Sequence, residues 1–455
     1  MEMILEFLRD ILSQPALLIG IMSCVGLIAL KRPFHKIMTG TLKPILGYLM
    51  LAAGAGVIVS NLDPLGKMIE HGFHITGVVP NNEAIVAVAQ KVLGVETMSI
   101  LVVGLLMNLL IARFTKFKYV FLTGHHSLFM ACLMSAVLGT AGLSGIELIL
   151  VGGFLMGAWS AISPAIGQSY TSKVTDGDEI ALGHFGSLGY YLSAWVAKYV
   201  GKAEESTEDI EIPEKWGFLR DSTLSTALTM IVFYLIAAIA AGSEFVSTLS
   251  GSMSPYLFAV MSAMNFAVGV AIVYSGVRMI LGDLIPAFQG IATKIIPNAI
   301  PAVDCAVFFT YAPTAVVLGF ISSFIGGIIG MLVLGAVGGV LIIPGLVPHF
   351  FCGATAGIYG NATGGRRGAA VGAFLNGLAI TFLPALALPV LGQLGFQNTT
   401  FGDADFAVMG LVLGNAFEWI GMAGIYGVVV IAALVLIIPN FIKTKGKVIN
   451  YVEEE

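Results

Sequence analysis

The chain has 455 residues, 22 of them Lys or Arg and 27 Asp or Glu; 11% are charged, 57% are apolar and the net charge is −5. A soluble domain carries about 25% charged residues, so this chain has too little charge to clothe a water-facing surface, and an ordinary soluble enzyme is excluded. The basic residues are scarce and never form a block longer than two or three, which argues against nucleic acid as a partner.

With a mean hydropathy of +0.93, the surplus apolar surface has to face lipid. The N-terminus lacks the basic region and cleavage site of a signal peptide, and the segment after Gln14 reads as a retained first helix. Apolar runs rise at 15–30, 44–62, 96–113, 119–140, 144–162, 222–242, 256–276, 310–330, 331–352, 368–392 and 406–441. A membrane-spanning helix needs roughly 20 such residues, so the expected fold is an all-α polytopic membrane protein of about eleven transmembrane helices. Basic residues set its orientation. Lys31, Arg32, Lys36 and Lys43 follow the first run, and Arg113, Lys116 and Lys118 follow the third. Lys198, Lys202, Lys215 and Arg220 lie in the central linker, with Arg366, Arg367, Lys443, Lys445 and Lys447 beyond it. Eleven crossings put all of them in the cytoplasm, with the N-terminus outside and the C-terminus inside. The stretch 391–405 has no Lys or Arg and falls on the outer side.

The one sustained charged segment, 198–221, divides the chain into a first membrane repeat (1–197) and a second (222–442), followed by a cytoplasmic tail at 443–455. It reads as a cytoplasmic linker, either a solvated loop or a docking surface for a soluble partner. Pro64, Pro80 and Glu83 in the first half are echoed by Pro286, Pro301 and Asp304 in the second. Lys43 precedes its run whereas Arg278 follows its own, so the two units point in opposite directions, as in the inverted repeats of secondary transporters. Proline and glycine crowd 80–82, 297–304, 311–315 and 343–365, where an unbroken helix would not want them. Non-helical backbone at membrane depth must be buried in protein or line a polar cavity, so these are expected re-entrant hairpins whose amides face an anionic substrate. Most of the 56 glycines read instead as close helix packing.

Ionisable groups inside apolar runs are functional candidates by default. His125 and His126 are one such pair; neighbours on a helix do not share a face, so one is expected to meet the ligand and the other to pack. His184, set among glycines, is a ligand contact or a structural hydrogen-bonding group. Asp304, flanked by Ala-Val and Cys-Ala-Val, either accepts hydrogen bonds from a polyhydroxy substrate or relays a proton. Its repeat mate Glu83, beside Asn82, is placed in the opposite hairpin of the same cavity. Glu418 is a gating group, a dimer-interface group or one end of an internal polar pair. Cys24, Cys132, Cys305 and Cys352 form no Cys-x-x-Cys pair, HExxH is absent, and His71 and His74 make no clear metal site. A phosphate-binding GxxxxGK[ST] loop is also lacking, which argues against an ATP-driven pump. Transport outranks intramembrane catalysis.

The strings TGHHSLF (123–129), TDGDEIALGH (175–184), IPNAIPAVDCAVFFTYAPTAVVLGF (296–320) and LIIPGLVPHFF (341–351) make the chain similar to the membrane subunit, enzyme IIC, of the ascorbate-specific phosphotransferase system. The likeness runs from about residue 14 to 441. It implies a bacterial inner-membrane homodimer built from inverted repeats, with a substrate-holding core domain moving like an elevator against a scaffold domain. It also implies uptake of L-ascorbate or a related sugar acid, no cofactor, and phosphorylation by a separate IIB protein whose cysteine is charged through IIA. The permease itself then has no catalytic residue and no metal. The substrate contacts implied are His125, His184 and Asp304, with Asn82 and Glu83 where the family has a Thr-Tyr pair. Ala52, Phe129 and Phe185 stand where glutamines are expected. The alternative reading is a proton- or ion-coupled secondary transporter of a small carbohydrate acid, with Asp304 or Glu83 as the coupling group.

Overall fold

A computed structural model describes residues 14–74, 77–80, 82–210, 222–392 and 399–441. The protein is an all-α polytopic membrane protein. Seven of its described helices are long and apolar enough to span a bilayer, and an eighth span arises if α7 (Ser222–Ala241) and α8 (Ser243–Ser250), bent by 117°, are counted together. The eleven apolar runs do not map one to one onto these. Three of them fall partly in helices of 15–17 residues, α1 (Pro15–Ala29), α4 (Gly124–Thr140) and α12 (Ala404–Ile420), and a fourth short helix, α6 (Ser187–Val200), lies outside all eleven runs. Helices that short do not cross a roughly 30 Å hydrocarbon layer at 1.5 Å per residue.

Two 40-residue helices, α2 (Phe34–Phe73) and α9 (Pro255–Lys294), pack against each other. Glycine makes that possible. A Cβ on Gly47, Gly54, Gly269 or Gly276 would stand 2.6–2.9 Å from a carbonyl oxygen of the facing helix, so the backbones meet directly along two pairs of glycines seven residues apart.

The short strands were not expected. After α2 the chain forms β1 (Val79–Pro80), then α3 (Asn82–Phe114), β2 (Tyr119–Phe121), α4, α5 (Gly145–Thr175), β3 (Ala181–Leu182) and α6. After α9 it forms β4 (Ile300–Val303), a 3₁₀ turn (Cys305–Thr310), α10 (Pro313–Ala336), α11 (Leu346–Gly392), β5 (Thr399–Thr400), α12 and α13 (Met422–Phe441). β4 lies between β2 and β3, parallel to both, with Phe121 and Ala181 each in register with Ala302. β1 pairs in parallel with β5, and Val78 bridges to Ile342. Each half therefore lends one strand to be flanked by backbone of the other. The pairing answers the problem set by the broken helices, because peptide groups released inside a membrane protein must find partners. Pro301 removes one donor, but Ile300 N donates to Lys118 O (2.8 Å), Leu122 N to Ala302 O (2.9 Å) and Gly183 N to Val303 O (2.7 Å).

The central linker is not merely a solvated loop. Residues 201–210 fold back on the bundle; 211–221 lie outside the described residues, as does the tail expected at 443–455. Glu208 accepts hydrogen bonds from Thr314 N, Thr314 Oγ1 and Ala315 N, capping α10. Thr207 is buried, and its amide donates to Asn361. Beneath this loop α11 breaks at Gly364 and Gly365, the latter at φ 59°, ψ −154°. A Cβ on Gly365 would lie 2.2 and 2.3 Å from the carbonyl oxygens of Lys202 and Glu205. Gly365→Ala is therefore expected to destabilise the protein by about 1–3 kcal/mol through backbone strain alone, read as a lowered Tm in detergent. Gly282→Ala, where a Cβ meets nothing within 4 Å, leaves the Tm at or above that of the parent.

The stretch 391–405, read as falling on the outer side, packs into the protein at its C-terminal end. Residues 393–398 are not described, but Phe401, Asp403 and Asp405 are buried in the protein. Their carboxylates are taken inward because donors from other elements await them there.

Candidate functional site

Each of the five strands runs directly into the start of a helical element, and these starts come together. Asn82 follows β1, His125 and His126 follow β2, His184 follows β3, Asp304 follows β4 and Asp403 follows β5. Helix starts carry unpaired amides and a partial positive charge, so the cluster is a place where anions are held. Three carboxylates already occupy part of it.

Asp304 caps the 3₁₀ turn, its Oδ1 accepting from Ala306 N at 3.0 Å, while Oδ2 faces His125 Nε2 at 3.4 Å. His125 Nδ1 lies 3.2 Å from the Tyr48 hydroxyl. The His125 side chain is 40% exposed and is the accessible member of the group. His126 and His184 are buried, with ring centroids 3.7 Å apart. Asp403 accepts from Asn82 Nδ2 (2.6 Å) and Cys352 Sγ (2.9 Å), with His184 Nδ1 3.9 Å away. Asn82 returns the contact by accepting from Gly402 N at 2.9 Å.

His126, His184 and Asp403 bring ligand-type atoms within 4.8 Å of one another, as do His184, Asp304 and Cys305. The tautomers oppose a metal on the two rings. His126 Nδ1 accepts from Phe185 N (3.3 Å), and His184 Nδ1 accepts from Gly186 N (3.1 Å). A backbone amide only donates, so both Nδ1 atoms use their lone pairs and the ring protons sit on Nε2. The Tyr190 hydroxyl, 2.9 Å from His184 Nδ1, then also donates to it. Neutral imidazoles fixed this way offer N–H donors, whereas a metal would need those Nε2 lone pairs.

Asp405 is the structural counterpart. It is fully buried, accepting from Ser187 Oγ (2.7 Å) and Trp159 Nε1 (3.1 Å) on Oδ2 and from Leu188 N (2.9 Å) on Oδ1. Its own amide donates to Phe185 O at 2.9 Å, which fixes the segment carrying His184.

Of the residues singled out in the sequence, His125, His184, Asp304 and Asn82 are brought together. The Glu83 side chain lies outside the described residues. Only one of His125 and His126 was expected at the site, yet both belong to the cluster: the two histidines sit in the first turn of α4 with rings 4.8 Å apart, and the cluster surrounds that helix start on more than one side. Phe129 is within ring contact of both histidines (5.8 and 5.7 Å), and Phe185 is fully buried, stacked on Phe121. With Phe406 they form an aromatic wall behind the imidazoles. Ala52 is exposed on α2; the residue of that helix that reaches the site is Tyr48, one turn earlier. Glu418 is exposed at the end of α12 and joins no internal pair among the described residues. Asp403, Asp405, Tyr190 and Cys352 were missed. For the two aspartates the signal was present: GDADF (402–406) sets two acids two apart directly before an apolar run, with no base beside them.

A family model described as a PTS system sugar-specific permease component, EIIC-GAT, matches residues 10–405. The chain is also similar to the ascorbate-specific PTS system EIIC component of Mycoplasma pneumoniae, with 26% identity over 417 residues. That match covers 78% of this chain and 62% of the relative, so the chain spans about three fifths of the relative's length.

Proposed function

This chain belongs to the EIIC-GAT family of sugar-specific permease components of the phosphotransferase system, and from that premise we propose that it takes up L-ascorbate or a related sugar acid. The substrate is handed to a separate IIB protein, itself charged through IIA, for phosphorylation on the cytoplasmic side. The observation that carries this reading is the convergence of helix starts with two imidazole N–H donors and two carboxylates at one place. A sugar acid in its anionic form needs donors for its charged oxygens, which the imidazoles supply. Its neutral hydroxyls need acceptors, and Asp304 and Asp403 supply those. The phenyl rings of Phe129 and Phe185 back the imidazoles and hold them in place.

The two membrane repeats, 1–197 and 222–442, are proposed to be inverted copies. The matched 40-residue helices, each followed after five residues by a central strand, support this, as does the reciprocal strand exchange. In this reading the hairpins and strands form the moving core, α2 and α9 belong to the scaffold, and the protein works as an inner-membrane homodimer with its C-terminus in the cytoplasm.

The test is reconstitution. Purified protein in proteoliposomes is expected to bind and exchange labelled L-ascorbate or a related sugar acid saturably, and to yield phosphorylated product only with IIB, IIA and phosphoenolpyruvate. Absence of saturable binding across sugar acids defeats the substrate assignment. Accumulation driven by a proton or sodium gradient without partners instead favours secondary transport, for which the facing His125–Asp304 pair supplies a titratable group.

A further inference from the structure

We propose that Thr123 is a specificity-determining residue whose hydroxyl receives one hydroxyl of the transported sugar acid; this rests on the strand-end cluster being the substrate site. Thr123 is 1% exposed, and its Oγ1 has no hydrogen-bond partner among the described residues. The position makes that unusual. Thr123 immediately precedes α4, where a threonine ordinarily caps the helix by accepting from an amide of the first turn. Here the backbone stands at φ −87°, ψ 83°, and the side chain makes no cap bond. The carbonyl of Thr123 makes the ordinary first bond of the helix, accepting from Ser127 N (3.1 Å) and also from Ser127 Oγ (3.3 Å). A buried hydroxyl withheld from its ordinary use is costly, and the cost is recovered when a ligand supplies the missing partner.

A small recess beside Thr123 has room for about one hydroxyl group of that ligand. It lies where α1, α2 and α9 meet the strand-end cluster, and its polar lining consists of Tyr48, Thr123 and Asp304 among aliphatic side chains such as Ile19, Leu51 and Ile280. Tyr48 is engaged with His125, and Asp304 with His125 and Ala306. Thr123 is therefore the unengaged polar side chain of the three. Its chemistry selects the partner. A sugar hydroxyl set between an acceptor-only carboxylate and a threonine hydroxyl can donate to Asp304 and accept from Thr123, satisfying all three groups. A charged oxygen there would face Asp304 unfavourably, so the acidic part of the ligand turns toward the imidazoles and a neutral hydroxyl toward Thr123.

The experiment compares the full-length wild type with Thr123→Val and Thr123→Ser in detergent, reading equilibrium affinity and Tm together. The ligands are L-ascorbate, its C5 epimer, and analogues lacking the C5 or the C6 hydroxyl. Thr123→Val is expected to weaken binding of the preferred sugar acid by about 5- to 50-fold, the loss of one hydrogen bond to a buried group. Thr123→Ser is expected to stay within about threefold of wild type, since it keeps the hydroxyl. One deoxy analogue should bind valine variant and wild type equally. The Tm of Thr123→Val should hold or rise, because it removes a hydroxyl with no partner. Unchanged affinity in Thr123→Val overturns the proposal while leaving the substrate site intact. A lowered Tm with equal losses for every analogue also overturns it, marking a structural role. If wild type binds none of the sugar acids, the substrate reading and this proposal fall together.

Discussion

Asp405→Ala is expected to produce a large loss of stability, about 3–5 kcal/mol, because three buried donors lose their acceptor at about 1–3 kcal/mol each. The side chain is fully buried and accepts three hydrogen bonds, from Trp159 on α5 and from Ser187 and Leu188 at the start of α6. Alanine leaves those donors with nothing to meet in an interior closed to water. Asp405→Asn keeps the shape, yet its amide nitrogen must face at least one of the same donors, so it should fall between alanine and wild type. The measurement is thermal unfolding in detergent. Glu418→Gln, at an exposed carboxylate one helix length away on α12, is the control and should stay within about 0.5 kcal/mol. Wild-type melting for Asp405→Ala would sink the idea that this carboxylate clamps three helices together.

Asp304→Asn separates stability from binding. The asparagine oxygen can still accept from Ala306 N and cap the 3₁₀ turn, so the fold should survive with little change in Tm. Lost is the negative charge that faces His125 and, in the proposed complex, a sugar hydroxyl. A hydrogen bond to a charged group contributes about 1.5–3 kcal/mol, so affinity should drop by about 10- to 100-fold. Asp304→Ala should lose both functions, weakening binding and lowering the Tm together. Wild-type affinity in Asp304→Asn would remove Asp304 from the substrate site.

Several parts of this arrangement were legible because a single residue violated its surroundings. Asp304, His125 and His184 are ionisable groups in apolar sequence, and lipid makes such groups expensive without a purpose. The proline positions located the helix breaks at β1 and β4 for a similar reason. Other parts depend on pairings no local pattern carries. A strand of two to four residues has too few positions to show alternation, and its partner here lies about 180 residues away, Tyr119 opposite Ile300. Asp403 and Asp405 were readable as charges, but the lack of nearby Lys or Arg speaks only to the side of the membrane and not to burial. The donors that draw them inward come from Trp159, Ser187, Leu188, Asn82 and Cys352, distant in sequence. That only one of His125 and His126 could serve the site followed from a helical-face rule that holds mid-helix and fails at a helix start surrounded by other chain breaks.

The strand exchange also imposes an order on biosynthesis. β2 leaves the ribosome about 180 residues before β4, a delay of roughly 10–40 s at 5–20 residues per second. Through that interval Leu122 N and the rest of the first half's strand backbone have no ladder to join. β1 waits longer still, since its partner at Thr399–Thr400 follows about 320 residues later. The nascent first half must therefore keep its hairpin segment in contact with water or with the insertion machinery, because open peptide groups cannot be left in hydrocarbon. Assembly of the strand-end cluster is thus completed only when Asp403 arrives and the second half threads its strands among those of the first.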